Sequence, residues 1–176
     1  MGEVNSMIRK KLNPIIILSN ILIFIVVLFF QTSEIFDISI KTATPMIPLS
    51  LIIGFAFFSS MRSAIIWGLI SGIMIDSVAY KSYCFNAIAF MLIAVAVYLA
   101  SNNLFNKNLK AALVLALICS VVYFVLLWIL FYSKTSIDSS LGYLLKYALP
   151  SATYTAVLVI PFYFIYRYFS KKIIKN

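Results

Sequence analysis

The stretch SAIIWGLISGIMIDSVAYKSYCFNA, residues 63–87, decides the fold. It is an apolar run with Gly68, Gly72 and Asp76 at four-residue spacing, in a chain that has only five glycines and five acidic residues. Residues four apart lie on the same side of a helix, so the spacing predicts a helix with one stripe of small side chains. A Gly-xxx-Gly stripe lets a second helix approach backbone to backbone. The stripe consists of Gly68, Ser71, Gly72, Asp76 and Ala79.

Asp76 is a carboxylate inside an apolar segment. A charge within a bilayer is costly, so Asp76 should face protein or trapped water rather than lipid. Two roles are open for it: a hydrogen bond to a neighbouring helix, or a direct contact with a partner or ligand. Asn86, ten residues further on, is interpreted as a cap or turn residue, with a ligand contact as the alternative. We expect the other helices of the chain to pack around the helix that contains Asp76.

The composition places the chain among integral membrane proteins. It has 176 residues, of which 64% are hydrophobic and 11% charged, whereas soluble domains are roughly 45–50% apolar and about 25% charged. We therefore predict a single membrane domain, residues 1–176. The net charge is +9, but the basic residues cluster at the ends of apolar runs. That pattern indicates a membrane rather than nucleic acid as the cause of the excess.

Six apolar runs predict an all-α protein with six transmembrane helices. The first run follows basic residues and can be read as a signal peptide. No small-residue cleavage site follows it, so we interpret it as a retained helix. The predicted spans are residues 14–30, 45–60, 63–79, 86–100, 111–132 and 147–169.

The distribution of basic residues predicts the orientation, because cytoplasmic segments of membrane proteins are enriched in Lys and Arg. With the N-terminus inside, the internal segments contain Arg9, Lys10, Lys11, Arg62, Lys107, Lys110, Arg167, Lys171, Lys172 and Lys175. The external segments contain only Lys41, Lys81, Lys134 and Lys146. The sequence therefore predicts a compact six-helix bundle with both termini in the cytoplasm.

Small residues recur every four positions on two further helices. They are Ala112, Ala116 and Ser120 on the fifth span, and Ala148, Ala152 and Ala156 on the sixth. The first span has almost none, which indicates a helix that faces lipid or offers large side chains to a partner's groove. Three tyrosines near the end of the sixth span are interpreted as an interfacial aromatic belt: Tyr163, Tyr166 and Tyr168.

The sequence offers little catalytic chemistry. It has no histidine, no Gly-rich phosphate loop and no Ser or Cys nucleophile beside a base. The two cysteines, Cys84 and Cys119, lack the spacing of metal ligands. Catalysis needs convergent groups with tunable pKa values, so we predict a protein that is not an enzyme and has no cofactor and no metal site.

The run from Gly68 to Asp76, followed by Asn86-Ala87, resembles the MreD family of rod shape-determining proteins. Pro150, Tyr154 and Pro161 are similar to that family's last span, and the resemblance covers roughly residues 45–169. The chain departs from the family pattern in the turn before Asn86, where a glycine is usual and Cys84-Phe85 stands here.

The resemblance implies a non-enzymatic subunit of the bacterial cell-elongation complex, in the cell (inner) membrane. The implied partners are an MreC-like protein with a single span and, in the wider complex, the MreB filament, the RodA glycosyltransferase and a penicillin-binding transpeptidase. The candidate helix-packing or partner-binding residues are Gly68, Gly72, Asp76, Asn86, Ala112, Ala116, Ala148 and Ala152.

The family's fold also resembles the substrate-binding subunits of energy-coupling-factor vitamin transporters. Small-molecule binding for uptake is therefore the alternative function. Such subunits often carry Ala-xxx-Ala near the start of the first helix, and residues 15–30 have no such motif. This absence disfavours the transporter alternative.

Overall fold

A computed structural model of the chain describes residues 14–32, 43–78, 84–103, 108–132, 142 and 144–174. These residues are mostly helical and include no β-strand, in agreement with the predicted all-α class. The helices are α1 (Pro14–Thr32), α2 (Ile47–Ala56), α3 (Met61–Val78), α4 (Phe85–Asn103), α5 (Leu109–Leu127), α6 (Leu149–Val157) and α7 (Val159–Ile174). A π-helical turn, Trp128–Tyr132, follows α5, and another, Leu144–Ala148, precedes α6.

Four helical segments are long and apolar enough to cross a membrane, which indicates a multi-pass membrane protein. They are Met61–Val78, Phe85–Asn102, Leu109–Phe131 and Leu144–Ser170. The shorter apolar helices are Asn20–Gln31, within α1, and Ile47–Ala56. Six spans and two cytoplasmic termini stay predictions. Ala79 and residues 33–42, 80–83, 104–107 and 133–141, which lie between the predicted spans or at their edges, are outside the described residues.

The central helix is α2. It contacts all six other helices, and Leu49, Ile52 and Ile53 on it are completely buried. The expectation that the bundle packs around α3 is therefore wrong, because α3 contacts chiefly α4, α2 and α1. Hydrophobicity alone does not separate a helix that faces protein from one that faces lipid, and Ile66 and Ile73 of α3 are more than half exposed.

The start of α2 is bonded to residues from distant parts of the chain. The first N–H groups of a helix have no partner within the helix, and Met46, at the N-cap position, makes no side-chain capping bond. Side chains of α1 and α6 accept hydrogen bonds here instead. The pairs are Thr44 N to Ser151 Oγ, Met46 N to Thr155 Oγ1 and Ile47 N to Gln31 Oε1, each at 3.0 Å.

The helical segment that corresponds to the predicted sixth span is interrupted at Leu158, between α6 and α7. Pro161 explains the position of the break, since proline has no N–H to donate to the carbonyl four residues earlier and its ring clashes with that carbonyl. The hydroxyl of Ser50 on α2 donates a hydrogen bond to the carbonyl oxygen of Thr155 at 2.7 Å, just before the break. The break is thus packed against the central helix.

Two of the three tyrosines assigned to an interfacial belt belong to the core instead. Tyr163 is 0% and Tyr166 5% exposed, and the ring of Tyr166 lies 5.3 Å from that of Phe55 on α2. The belt interpretation is wrong for these two, because residues three apart share a helix face and this face of α7 packs on α2. Tyr168 points outward, at 65% exposed.

Candidate functional site

The two stripe glycines lie at the contact between α3 and α4, the most extensive helix–helix contact in the described part of the chain. A Cβ added at Gly72 would overlap the Cα of Ala87 and the carbonyl oxygen of Asn86. A Cβ at Gly68 would lie 2.9 Å from the carbonyl oxygen of Phe90. The backbone of α4 therefore touches α3 at both glycines. We call this contact the α3–α4 joint; it comprises Gly68, Gly72, Asp76, Asn86, Ala87 and Phe90.

Asp76 accepts three hydrogen bonds from the start of α4. Its Oδ1 accepts from the backbone N–H of Asn86 at 3.3 Å and from the Asn86 side-chain amide at 2.8 Å. Its Oδ2 accepts from the backbone N–H of Ala87 at 2.9 Å. Because α4 begins at Phe85, both N–H groups belong to its first turn and have no partner within the helix. Asp76 thus caps α4 from the neighbouring helix, at the end where a negative charge is favourable.

Asn86 extends the joint to a third helix. Its side-chain oxygen accepts a hydrogen bond from the hydroxyl of Tyr123 on α5 at 2.7 Å, and both residues are buried, at 4% and 2% exposed. The ring of Tyr123 stacks on Phe85 at 5.9 Å and contacts Phe90 at 5.6 Å. One chain of hydrogen bonds, from Tyr123 through Asn86 to Asp76, therefore connects α5, α4 and α3.

Tyr123→Phe is expected to lower the free energy of unfolding by about 1 kcal/mol, because it leaves the buried side-chain oxygen of Asn86 without a donor. Thermal unfolding of the purified protein in detergent measures the change. Tyr168→Phe, which removes an exposed hydroxyl, serves as the control and should leave the melting temperature unchanged. Equal melting temperatures for the two variants would show that the Tyr123 hydrogen bond adds no stability.

Cys84, directly before α4, has a left-handed backbone with φ of 61°. Its carbonyl oxygen accepts the N–H of Ile88 at 3.3 Å, so Cys84 stands at the position that begins the helix. Glycine adopts this conformation without a steric cost from Cβ, whereas other residues do not. The cysteine of this chain is therefore strained at this position.

Cys84→Gly is expected to raise the free energy of unfolding by up to about 1 kcal/mol, since it removes the cost of the left-handed conformation. Cys84→Val should lower it, because a β-branched side chain tolerates positive φ worst. Cys84→Ser keeps the Cβ and is the control, with stability near that of the parent. Thermal melts of the three variants would contradict this account if valine proved as stable as glycine.

The predicted alanines of the fifth and sixth spans lie inside the bundle. Ala112 and Ala116 on α5, Ala152 on α6 and Ala148 in the preceding π-helical turn are all at most 3% exposed. Helices α5 and α6 contact each other closely, so we interpret these alanines as the packing surface between them. Contact of any predicted site residue with a partner protein stays a prediction.

Two residues that position the helices were not predicted as sites. Tyr123 lies 37 positions from its partner Asn86, and no local pattern indicates that pairing. For Gly54 on α2 the sequence does contain an indication, since a glycine in an apolar span favours close approach of another helix. A Cβ at Gly54 would lie 2.9 Å from the Cβ of Phe162 on α7. Gly54 is therefore a third point of close helix contact.

The α3–α4 joint has the properties of a structural contact. The carboxylate of Asp76 is occupied by three donors from α4, and the amide of Asn86 both donates and accepts. Among the described residues, no group of three His, Cys, Asp or Glu side chains could hold a metal ion. This arrangement keeps α3, α4 and α5 in a fixed relative position.

Comparison with protein families identifies a match over nearly the whole chain. The family model for the rod shape-determining protein MreD matches residues 9–173 of the 176-residue chain. The matched range includes the whole α3–α4 joint and Tyr123. No curated protein and no solved structure matches the chain.

Proposed function

Because this chain belongs to the MreD family of rod shape-determining proteins, we propose that it is a non-enzymatic membrane subunit of the bacterial cell-elongation complex. The match over residues 9–173 is the observation that carries the proposal. The protein acts in the inner membrane, where peptidoglycan synthesis for elongation is organised. Its contribution is to bind partner proteins through its helices rather than to catalyse a step of synthesis.

The peripheral helix α1 supports an action by helix packing. It contacts chiefly α2 and α3, and one face of it is left exposed by the described part of the chain. That face carries large apolar side chains that are 56% to 68% exposed: Leu18, Leu22 and Ile25. Association of helices within a membrane depends on the packing of their side chains. We assign this face of α1 to contact with a partner span.

The proposed direct partner is an MreC-like protein with a single span and a large external domain. The MreB filament, RodA and a penicillin-binding transpeptidase form the wider complex. The α3–α4 joint supports this role indirectly, because a fixed arrangement of α3, α4 and α5 provides a rigid body against which other proteins can assemble.

Depletion of the protein in a rod-shaped host tests the function. We expect depleted cells to become round and lyse, with vitamin uptake unchanged, and re-expression of the wild-type chain to restore rods. A pull-down from solubilised membranes should recover the MreC-like protein. A variant with Leu22→Ala and Ile25→Ala on α1 should recover less of it. The matched control is Ile118→Ala with Leu126→Ala on α5, which truncates the same two residue types at exposed positions.

Two outcomes would contradict the proposal. Depleted cells that keep their rod shape would exclude a role in elongation. Recovery of a pair of transporter ATPases, or of a vitamin bound tightly to the purified protein, would support the uptake alternative instead. Equal recovery of the MreC-like protein by the α1 and α5 variants would place the contact elsewhere on the bundle.

A further inference from the structure

A non-helical stretch of the chain, residues 43–46, lies along the surface of α6 just before α2 begins. The backbone N–H of Thr44 donates to Ser151 Oγ and that of Met46 donates to Thr155 Oγ1, each at 3.0 Å. Alternate residues of an extended chain are about 6.6 Å apart, and residues four apart in a helix rise about 6 Å. Because the two spacings match, the stretch follows α6 over one turn as an extended chain.

This stretch lies within the depth of the membrane. Lys146 and Arg167 are exposed, and the 20 residues between them contain no charged side chain. In a helix these residues rise about 30 Å, which is the thickness of a hydrocarbon core. On that scale Ser151 lies about 7 Å and Thr155 about 13 Å from the Lys146 boundary. The 43–46 stretch is therefore in the half of the membrane at that end.

Helix α2 occupies the other half. A Cβ at Gly54 would lie 2.9 Å from the Cβ of Phe162, and the ring of Phe57 lies 5.9 Å from that of Tyr163. Both partners are late in the segment Leu144–Ser170, so α2 runs alongside α7 toward the opposite boundary. In the first half of the membrane, the 43–46 stretch takes the place that a longer helix would fill.

Two threonines at the same depth differ in their hydrogen bonds. Thr153 lies between Ser151 and Thr155 on α6 and is exposed. Its hydroxyl donates to the carbonyl oxygen of Pro150 at 2.8 Å, and a bond of this kind to the same helix lets a hydroxyl face lipid. Thr44 is also exposed, but its hydroxyl forms no hydrogen bond with the described residues. A hydroxyl without a partner is costly in hydrocarbon.

The side chains of the stretch alternate between two environments. Ala43 and Pro45 are buried, whereas Thr44 is exposed and Met46 half-buried. Successive side chains of an extended chain point to opposite sides, so Thr44 and Met46 face the same side. Non-helical backbone at membrane depth occurs where it is buried in protein or lines a water-filled cavity. The exposed, unbonded hydroxyl of Thr44 favours the second arrangement.

We propose that a water-filled recess opens at the Lys146 end of the bundle, which the sequence predicts to be external, and reaches Thr44 and Met46. Water in this recess provides the hydrogen-bond partner of the Thr44 hydroxyl. The recess ends at the start of α2, which Met46 directly precedes. At this place the barrier between the two sides of the membrane consists only of the half of the bundle that contains α2.

Labelling of single cysteines in lipid nanodiscs tests the proposal. In a chain with Cys84→Ser and Cys119→Ala, Thr44→Cys should react with a charged methanethiosulfonate about tenfold faster than Thr153→Cys, because a thiol in apolar surroundings does not form the reactive thiolate. The two positions share the parent residue, the depth and an exposed side chain, so the comparison isolates contact with water. Denaturation in sodium dodecyl sulfate should make both thiols react fully.

Wild-type protein provides a second measurement that does not depend on the folding of variants. Hydroxyl radicals generated from water oxidise methionine where water reaches the side chain. Met46 should be oxidised to the sulfoxide about fivefold faster than Met91. Met91 is the matched comparison, because it is also half-buried and lies inside α4.

Three outcomes would overturn the proposal. Equally slow labelling of Thr44→Cys and Thr153→Cys would show that lipid or protein covers Thr44. Equally fast labelling would show that this part of α6 lies outside the membrane. Oxidation of Met46 no faster than that of Met91 would contradict a recess that reaches the start of α2.

Discussion

Gly72→Ala is expected to lower the free energy of unfolding by about 3 kcal/mol, which corresponds to a fall of about 10 °C in melting temperature for a chain of this size. The added Cβ would overlap Ala87 Cα and Asn86 O and would lie 2.5 Å from the backbone nitrogen of Ala87. These are backbone atoms of α4, so no side chain can rotate away to make room. The helices must separate, which also lengthens the hydrogen bonds of Asp76.

The same substitution at two other glycines shows how the cost in stability depends on the space around the added Cβ. Gly68→Ala should cost less, because its Cβ would lie 2.9 Å from the carbonyl oxygen of Phe90. Gly142→Ala should be neutral or stabilising by up to about 1 kcal/mol, since nothing lies within 4 Å of the added atom and alanine favours a helix more than glycine does. A Gly72→Ala protein that melts at or above the parent temperature would disprove the close contact.

Asp76→Leu is expected to have the second large effect, about 3 kcal/mol, because three donors of Asn86 and Ala87 lose their acceptor. Asp76→Asn should cost roughly half as much. It keeps one acceptor oxygen but presents an amide N–H to at least one of those donors. Thermal unfolding in detergent measures both losses, and complementation of depleted cells measures whether rod shape returns.

The comparison between these two variants separates bonding from charge. If Asp76 works through its hydrogen bonds, the asparagine variant should restore rod shape in part and the leucine variant should not. Ser77→Ala, at the exposed neighbouring position, is the control for handling and expression. Complete and equal loss of rod shape in the asparagine and leucine variants, with normal melting of the asparagine protein, would indicate a role for the charge itself.

The sequence predicts which residues of α3 belong to the α3–α4 joint better than it predicts the residues that they contact. Spacing alone places Gly68, Gly72 and Asp76 on one helix face, because helical periodicity is a local property. The identity of the helix that meets this face depends on how the whole chain folds. The sequence indicates Asn86 as a cap or turn residue at the start of the fourth span, whereas the role of Tyr123 depends on where α5 lies in the fold.

The central place of α2 could not be read from its residues. A run such as IPLSLIIGFA is equally apolar whether it faces lipid or protein, since the lipid tails are as apolar as the core. Ser50 and Gly54 are the residues that distinguish it, through a hydrogen bond to Thr155 and close contact with Phe162. Neither contact has a periodic signature. The same limit explains why the sequence predicts Tyr163 at the membrane surface, whereas the structure buries it in the core.

The shortness of α2 has a consequence for how the protein is made. Ten residues of helix span about 15 Å, half of a hydrocarbon core of roughly 30 Å, and backbone groups at that depth need partners within the protein. The acceptors Ser151 and Thr155 follow their donors by 107 and 109 positions. At about 5–20 residues per second, the ribosome synthesises them about 5–20 s after α2. We therefore expect α2 to reach its final position only after α6 has been inserted, so that the centre of the bundle is completed last.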